Sequence, residues 1–249
     1  MPLNPRLGKR YARAVVLVAT VLACGVTMRL GFWQLDRAQQ KQRIAKDMQE
    51  RQALPPLEPQ ALARDAAGLE AQRHRSITLR GRWVAERTVY LDNRQMDGRP
   101  GFFVVTPLRL PDGDAVLVQR GWLPRNFQDR ERLQPVVTPG GEVTVTGRIV
   151  SPPSSLLALG GAGTGPIRQN LPLDDFARET GLSLRPLSIQ QQDSAPGAPD
   201  SLQRRWPQPQ VDVGKHHGYA FQWFALSALV AGLYVWFQLI QPFRSRRTT

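Results

Sequence analysis

The sequence predicts a membrane protein in which two transmembrane α-helices flank a β-rich extramembrane domain of α+β class, mostly antiparallel and compatible with a small closed barrel. Three observations predict it. Two long apolar stretches lie near the two ends of the 249 residues, basic residues stand outside both, and short alternating runs punctuated by Gly, Pro and Asp fill the interval.

The first apolar stretch spans residues 14–35 and is interrupted by Arg29 near its outer end. The second is predicted over 216–240. From Gly218 to Ile240 it carries no formal charge, and 23 helical residues reach about 35 Å, enough for a hydrocarbon core of roughly 30 Å. Arg6, Lys9, Arg10 and Arg13 precede the first span, and Arg244, Arg246 and Arg247 follow the second. The positive-inside rule then places the tails, residues 1–13 and 241–249, on the cytoplasmic or matrix side and residues 36–215 on the other, as expected of a multi-pass protein.

The net charge of +13 invites a nucleic-acid reading, but its distribution argues against one. Five cations lie in residues 1–35 and three in the C-terminal tail, so 25 Lys and Arg face 20 Asp and Glu in the rest. The high pI is topology signal; it favours anionic lipid headgroups rather than a polyanion. Cys24 is the only cysteine, which excludes intrachain disulfides and cysteine-cluster metal sites. Val21-Leu22-Ala23-Cys24-Gly25 resembles a lipoprotein cleavage site, but Leu22 stands where a small residue is usual; a small residue facing the other helix is the preferred reading.

Arg37 to Arg51 is polar and predicted to continue the first helix until Leu54-Pro55-Pro56 stops it. A polar, alanine-rich stretch runs on to Ala71. Strands are predicted over 73–80, 82–91, 102–110, 115–122, 142–150 and 184–191 from their β-branched and aromatic content. Gly81, the Met96–Gly101 run and Pro111-Asp112-Gly113-Asp114 are predicted turns. Residues 151–166 read as a glycine- and proline-rich loop, 172–180 as a short helix ended by Gly181, and 194–209 as too proline-rich for a central strand.

Catalytic patterns are absent. His74 is the one neutral-pH acid or base between the spans, Asp92, Asp97, Asp112 and Asp114 are assigned to turns, and Gly160 to Gly165 (GGAGTG) lacks dinucleotide-loop spacing. A non-enzyme is therefore expected. Polar groups at the membrane are more informative because they are costly there. Arg29, four residues before Trp33, either snorkels to headgroups or pairs with an anionic ligand group at the depth of His216 and His217. His216, Tyr219, Ala220, Trp223, Ser227, Val230 and Tyr234 fall on one helical face. A neutral imidazole at the mouth of such an aromatic stripe suits either the interface itself or a planar cofactor such as haem, whose iron it would ligate. On another face, Ala228 and Gly232 suit close contact with the first helix or a partner.

These residues also resemble a known family. Leu30-Gly31-Phe32-Trp33-Gln34-Leu35 with Arg37 and Lys41, Gly81-Arg82-Trp83, Val89 to Arg94, Pro100 to Pro107, Val116 to Arg125, Trp206-Pro207, and His216, Tyr219, Ala220, Gln222, Trp223 and Phe224 are similar, in order, to the motifs of the Surfeit locus cytochrome c oxidase assembly factors, the Shy family of yeast, in their bacterial form. The resemblance runs from about residue 29 to 237. It implies a non-enzymatic factor that assists haem a delivery to, or maturation of, the catalytic subunit of a haem-copper oxidase, beside other assembly factors. The family histidine falls on His216; His217 stands at a position not usually histidine, and the ligand assignment stays open between them. With that resemblance, His216 is expected to ligate or guide haem a at the outer membrane face, with Arg29 or another arginine near the propionates, and His217, Tyr219 and Trp223 are further candidate haem contacts. The competing expectations are a scaffold that contacts oxidase subunits without cofactor, and a membrane-tethered cell-envelope interaction protein.

Overall fold

The computed structural model describes residues 5–126, 128–129, 133–153, 165–192, 200–206 and 213–241, with side chains of 5–10 and 213 excepted. The chain forms two compact units, Met1–Asp47 with Pro209–Thr249, and Met48–Gln208. Both long apolar stretches are helical. Helix α1 (Pro5–Ala53) ends one residue before Leu54-Pro55-Pro56, as expected where proline removes a donor and clashes with the preceding turn. Helix α4 (Val213–Tyr234) continues through a π-helical turn at Val235–Ile240. Each is long and apolar enough to cross a membrane. Their outward faces carry exposed Val15, Leu22, Val26, Phe32, Phe221, Leu229 and Phe237, an apolar surface that water would not tolerate at this extent.

The other unit is a mixed, seven-stranded sheet. Its strands are β1 (Ser76–Trp83), β2 (Val89–Met96), β3 (Arg99–Arg109), β4 (Ala115–Pro124), β5 (Glu142–Val150), β6 (Ile167–Arg168) and β7 (Leu184–Gln191). The order β1-β5-β7-β4-β3 returns to β1 through the pairs Arg82↔Arg109 and Trp83↔Leu108, so these strands close into a small barrel, with β2 and β6 extending from β3. Among the described strands, the β4–β7 and β2–β6 pairings are parallel and the others antiparallel.

Closure follows from alternation. Every ring strand sends apolar side chains inward: Ile77 and Leu79, Val145 and Ile149, Leu187 and Ile189, Val116 and Val118, and Leu108 form one buried cluster. Leu62 and Leu69 join it, the latter from helix α2 (Ala66–Gln72), whose first turn is capped by the Asp65 side chain accepting from the Gly68 N–H. The outer side of β2, β3 and β4 is covered by helix α3 (Leu173–Thr180), which buries Phe176 against Leu91, Val105 and Leu117. Gly181 ends α3 in the left-handed region at φ 68°. Gly181→Ala is expected to lower stability by about 1 kcal/mol, seen as an earlier urea midpoint with unchanged slope.

Several expectations need correction. The predicted strand 82–91 is interrupted by a 3-10 turn at Ala85–Arg87, and the strand before it runs to Trp83 rather than Arg80. Gly81 is not a turn. It is buried within β1 at the barrel seam, where an added Cβ would meet the Arg109 carbonyl oxygen at 2.4 Å. The predicted turn at 96–101 shrinks to Asp97-Gly98, both at positive φ, as a two-residue hairpin between twisted strands requires. Asp92 lies buried at a bulge of β2, not in a turn, while Asp112 and Asp114 do occupy the β3–β4 turn and pair with the buried Arg185. Strand β6 and helix α2 are additional to the predicted elements. The terminal arginines Arg244, Arg246 and Arg247, residues 154–164 with most of the glycine-rich run, and 193–199 lie outside the described residues.

Candidate functional site

Within the helical unit, α1 and α4 meet along a seam whose residues recur at alternating steps of three and four, the spacing that keeps one stripe facing a partner helix. On α1 these are Cys24, Thr27, Gly31, Gln34 and Ala38, and on α4 His216, Ala220, Trp223 and Ser227, all buried or half-buried. Small side chains let the helices approach. The Phe224 ring lies against Gly31, where a Cβ would come within 2.6 Å of it, and meets Phe32 edge-on at 5.3 Å.

Polar groups on the seam pair with each other or their own helix. The Thr27 hydroxyl donates back to the Ala23 carbonyl at 2.8 Å, and the Cys24 thiol and Ser227 hydroxyl donate to one another's backbone carbonyls at 3.5 and 3.4 Å. Cys24 thus faces the second helix. At the entrance of α4 the His216 Nδ1 lies 2.8 Å from the Gln34 side-chain oxygen. Gln34 did not stand out as a site residue in the sequence. Nothing local announces a contact between positions 182 residues apart.

The candidate residues separate. His216 and Trp223 are half-buried on the seam side, whereas His217 is exposed and Tyr219 is 51% exposed. Arg29 is exposed on α1, about 140° around the helix from Gln34 at 100° per residue. Trp33 is also exposed on α1, with the Arg37 guanidinium 5.6 Å from its ring centre. The stripe read as a cofactor face is therefore largely the interhelical face, with Tyr219 pointing outward. Ala228 and Gly232 are exposed, with nothing within 4 Å of a Cβ at Gly232, so the small pair does not serve the first helix.

The β unit contains a different polar centre. Arg120 of β4 is 2% exposed, donates to Thr138 Oγ1 and the Val137 carbonyl at 2.7 Å each, and lies 4.8 Å from the Trp83 ring centre. Asp200 stands 3.7 Å from it and 2.5 Å from Arg204, whose Nε donates to the Arg120 carbonyl. Burial pushes the Arg120 guanidinium below its usual pKa, and Asp200 opposes that shift. This cluster fastens residues 133–138 and 200–206 to the barrel; Gln203 adds to the edge through paired hydrogen bonds with Trp122. Trp206 is anchored by its indole N–H on the Gln191 carbonyl at 2.7 Å and packs edge-on to Phe103. His74, at positive φ, lines a cleft of about 290 Å³ with Arg73, Arg94, Phe103, Gln119 and Gln190. Among the described residues no group of three His, Cys, Asp or Glu is arranged to hold a metal ion.

The seam and the arginine centre both fall within residues 21–228, the stretch matched by the model of the SURF1 family. The chain belongs to that family. Relatives include the "SURF1-like protein" of Drosophila melanogaster, 29% identical over 49% of this chain and 44% of that protein. The "Surfeit locus protein 1" of Arabidopsis thaliana is 30% identical over 43% of this chain and 33% of the relative. The "Cytochrome oxidase assembly protein SHY1" of Saccharomyces cerevisiae is 24% identical over 72% of this chain and 47% of the relative. The chain therefore spans less than half the length of these three proteins. Within the family match, Trp83, Arg120, Trp122 and Trp206 have structural work in the barrel, and His216 and Gln34 meet on the helix seam.

Proposed function

We propose that the chain is a membrane-anchored assembly factor for a haem-copper oxidase, acting with other assembly factors on its catalytic subunit and doing no covalent chemistry of its own. The family match across residues 21–228, which includes a yeast protein named for cytochrome oxidase assembly, carries this reading. Charge asymmetry supports cytoplasmic tails and a periplasmic β domain in a bacterial inner membrane. Deleting the gene should lower cytochrome a absorbance and oxidase activity while other respiratory complexes stay intact. An unchanged oxidase would instead favour a cell-envelope role.

The cargo proposed is haem a, held or guided at His216. The residues fit such a group. An imidazole with Nδ1 engaged by an amide oxygen keeps Nε2 for iron, and Trp223 and Tyr219 offer aromatic surface within two turns. Arg29 or another arginine is proposed to meet a propionate. If bound, haem would supply an iron that accepts a nitrogen donor, and His216 would hold it; the protein's part is to orient that nitrogen. Purified from a host that makes haem a, His216→Ala is expected to lose the bound haem, whereas His217→Ala keeps it. Wild-type stoichiometry and spectrum in His216→Ala would end the ligand role, and a wild-type chain that never carries haem a would favour a pure scaffold.

A further inference from the structure

We infer that Gln34 is a positioning residue that holds His216 in the Nδ1-protonated tautomer and so selects Nε2 as the nitrogen presented to a ligand. The inference rests on the haem reading for its purpose, although the tautomer is a property of the haem-free chain. An amide oxygen only accepts, and a neutral imidazole has one N–H donor and one bare nitrogen. A contact of 2.8 Å between Gln34 Oε1 and His216 Nδ1 therefore requires the proton on Nδ1. Among the described residues Nε2 has no hydrogen-bond partner, so its lone pair is available.

The arrangement is fixed from both helices. Gln34 stands one turn beyond Gly31, where the Phe224 ring packs, and His216 one turn before the buried Ala220. The two side chains thus converge from opposite sides of one seam, and the ring cannot rotate without losing its hydrogen bond. Histidines that bind metals commonly donate their second N–H to an oxygen acceptor, which sets ring orientation and raises the basicity of the ligating nitrogen. His217, exposed and next in sequence, has no such tether to α1 among the described residues. The same geometry therefore distinguishes the two histidines.

Nitrogen-15 spectra of the imidazoles, recorded on the full haem-free chain in nanodiscs, test the tautomer directly. The wild type is expected to show protonated Nδ1 and bare Nε2 at His216, and Gln34→Leu to shift toward the Nε2-protonated form. Haem a titration should then give affinity about 10–100-fold weaker for Gln34→Leu. Gln34→Glu, which keeps an acceptor, should retain binding and lower the midpoint potential of the bound haem relative to wild type. A wild-type His216 protonated on Nε2, or a tautomer indifferent to Gln34→Leu, would overturn the inference whatever the haem result. A tautomer that switches with unchanged haem affinity would overturn the positioning role. If His216→Ala still binds haem a at wild-type affinity, the haem reading fails while the tautomer assignment survives.

Discussion

Arg120→Met is expected to destabilise the β domain by about 3–5 kcal/mol, the cost typical of removing one partner from a buried ion pair. The substituted side chain fills similar space but supplies no donors. Thr138 Oγ1 and the Val137 carbonyl lose charged bonds of 2.7 Å, Trp83 loses its cation, and Asp200 is left with Arg204 as its charge partner among the described residues. A loss of that size is a large share of the roughly 5–15 kcal/mol that holds a domain together. Thermal unfolding of the full chain in detergent, followed by tryptophan fluorescence, should show the transition about 10 °C lower, at ~2–4 °C per kcal/mol for a domain of this size. Arg120→Lys retains the charge but cannot bridge Thr138 and Val137 with two nitrogens, so it should recover only part of the loss. Wild-type unfolding in both variants would mean that the cluster is not what fastens residues 133–138 and 200–206.

Gly81→Val is expected to open the barrel seam and cost about 3 kcal/mol, at the upper end for overpacking a filled interior. The first atom of any side chain at this position would stand 2.4 Å from the Arg109 carbonyl oxygen and 3.0 Å from Leu108. The obstacle is mainly backbone, and it lies where Arg82 and Trp83 of β1 pair with Arg109 and Leu108 of β3 to close the ring. Gly81→Ala should already lower the urea midpoint, with valine lower still. Amide hydrogen exchange should speed up first at the β1–β3 junction. Protection there equal to wild type would show that the seam relaxes without cost.

Much of this architecture was legible in the sequence where a strong local signal coincided with the tertiary result. Strands β5 and β7 were predicted with the observed limits, because alternation in EVTVTGRIV and turn residues around LRPLSIQQ bound each run. The short helix ending at Gly181 was equally clear. Gly81 misled because glycine marks both turns and close approaches of backbone, and only the path of β3 decides between them. Strand β6 has two residues and exists by pairing in parallel with β2, so periodicity cannot reveal it. On the second span the helical spacing identified His216 and Trp223 but not which face would meet α1. The Ala228–Gly232 pair competed with a stripe containing Ser227 and His216. The latter won because Cys24 and Gln34 offer these polar groups partners that a lipid-facing surface lacks. Arg120 stood in a recognisable motif, yet its burial depends on Asp200 and Thr138, distant in sequence.

The ring order also sets a timetable for synthesis. Ile77 and Leu79 of β1 pair with Gly147 and Val145 of β5, and β5 and β4 both wait for β7, which ends at Gln191. Such distant pairings slow folding. At a translation rate of ~5–20 residues per second, roughly 5–20 s separate the appearance of β1 from that of β7, the last strand of the ring. During that interval the nascent chain presents unpaired strand edges beside a membrane its first helix is able to enter. A ribosome pause or a truncation before Leu184 would therefore leave a tethered sheet with open edges, prone to join copies of itself, while completion through Gln203 covers the exposed flank at Trp122.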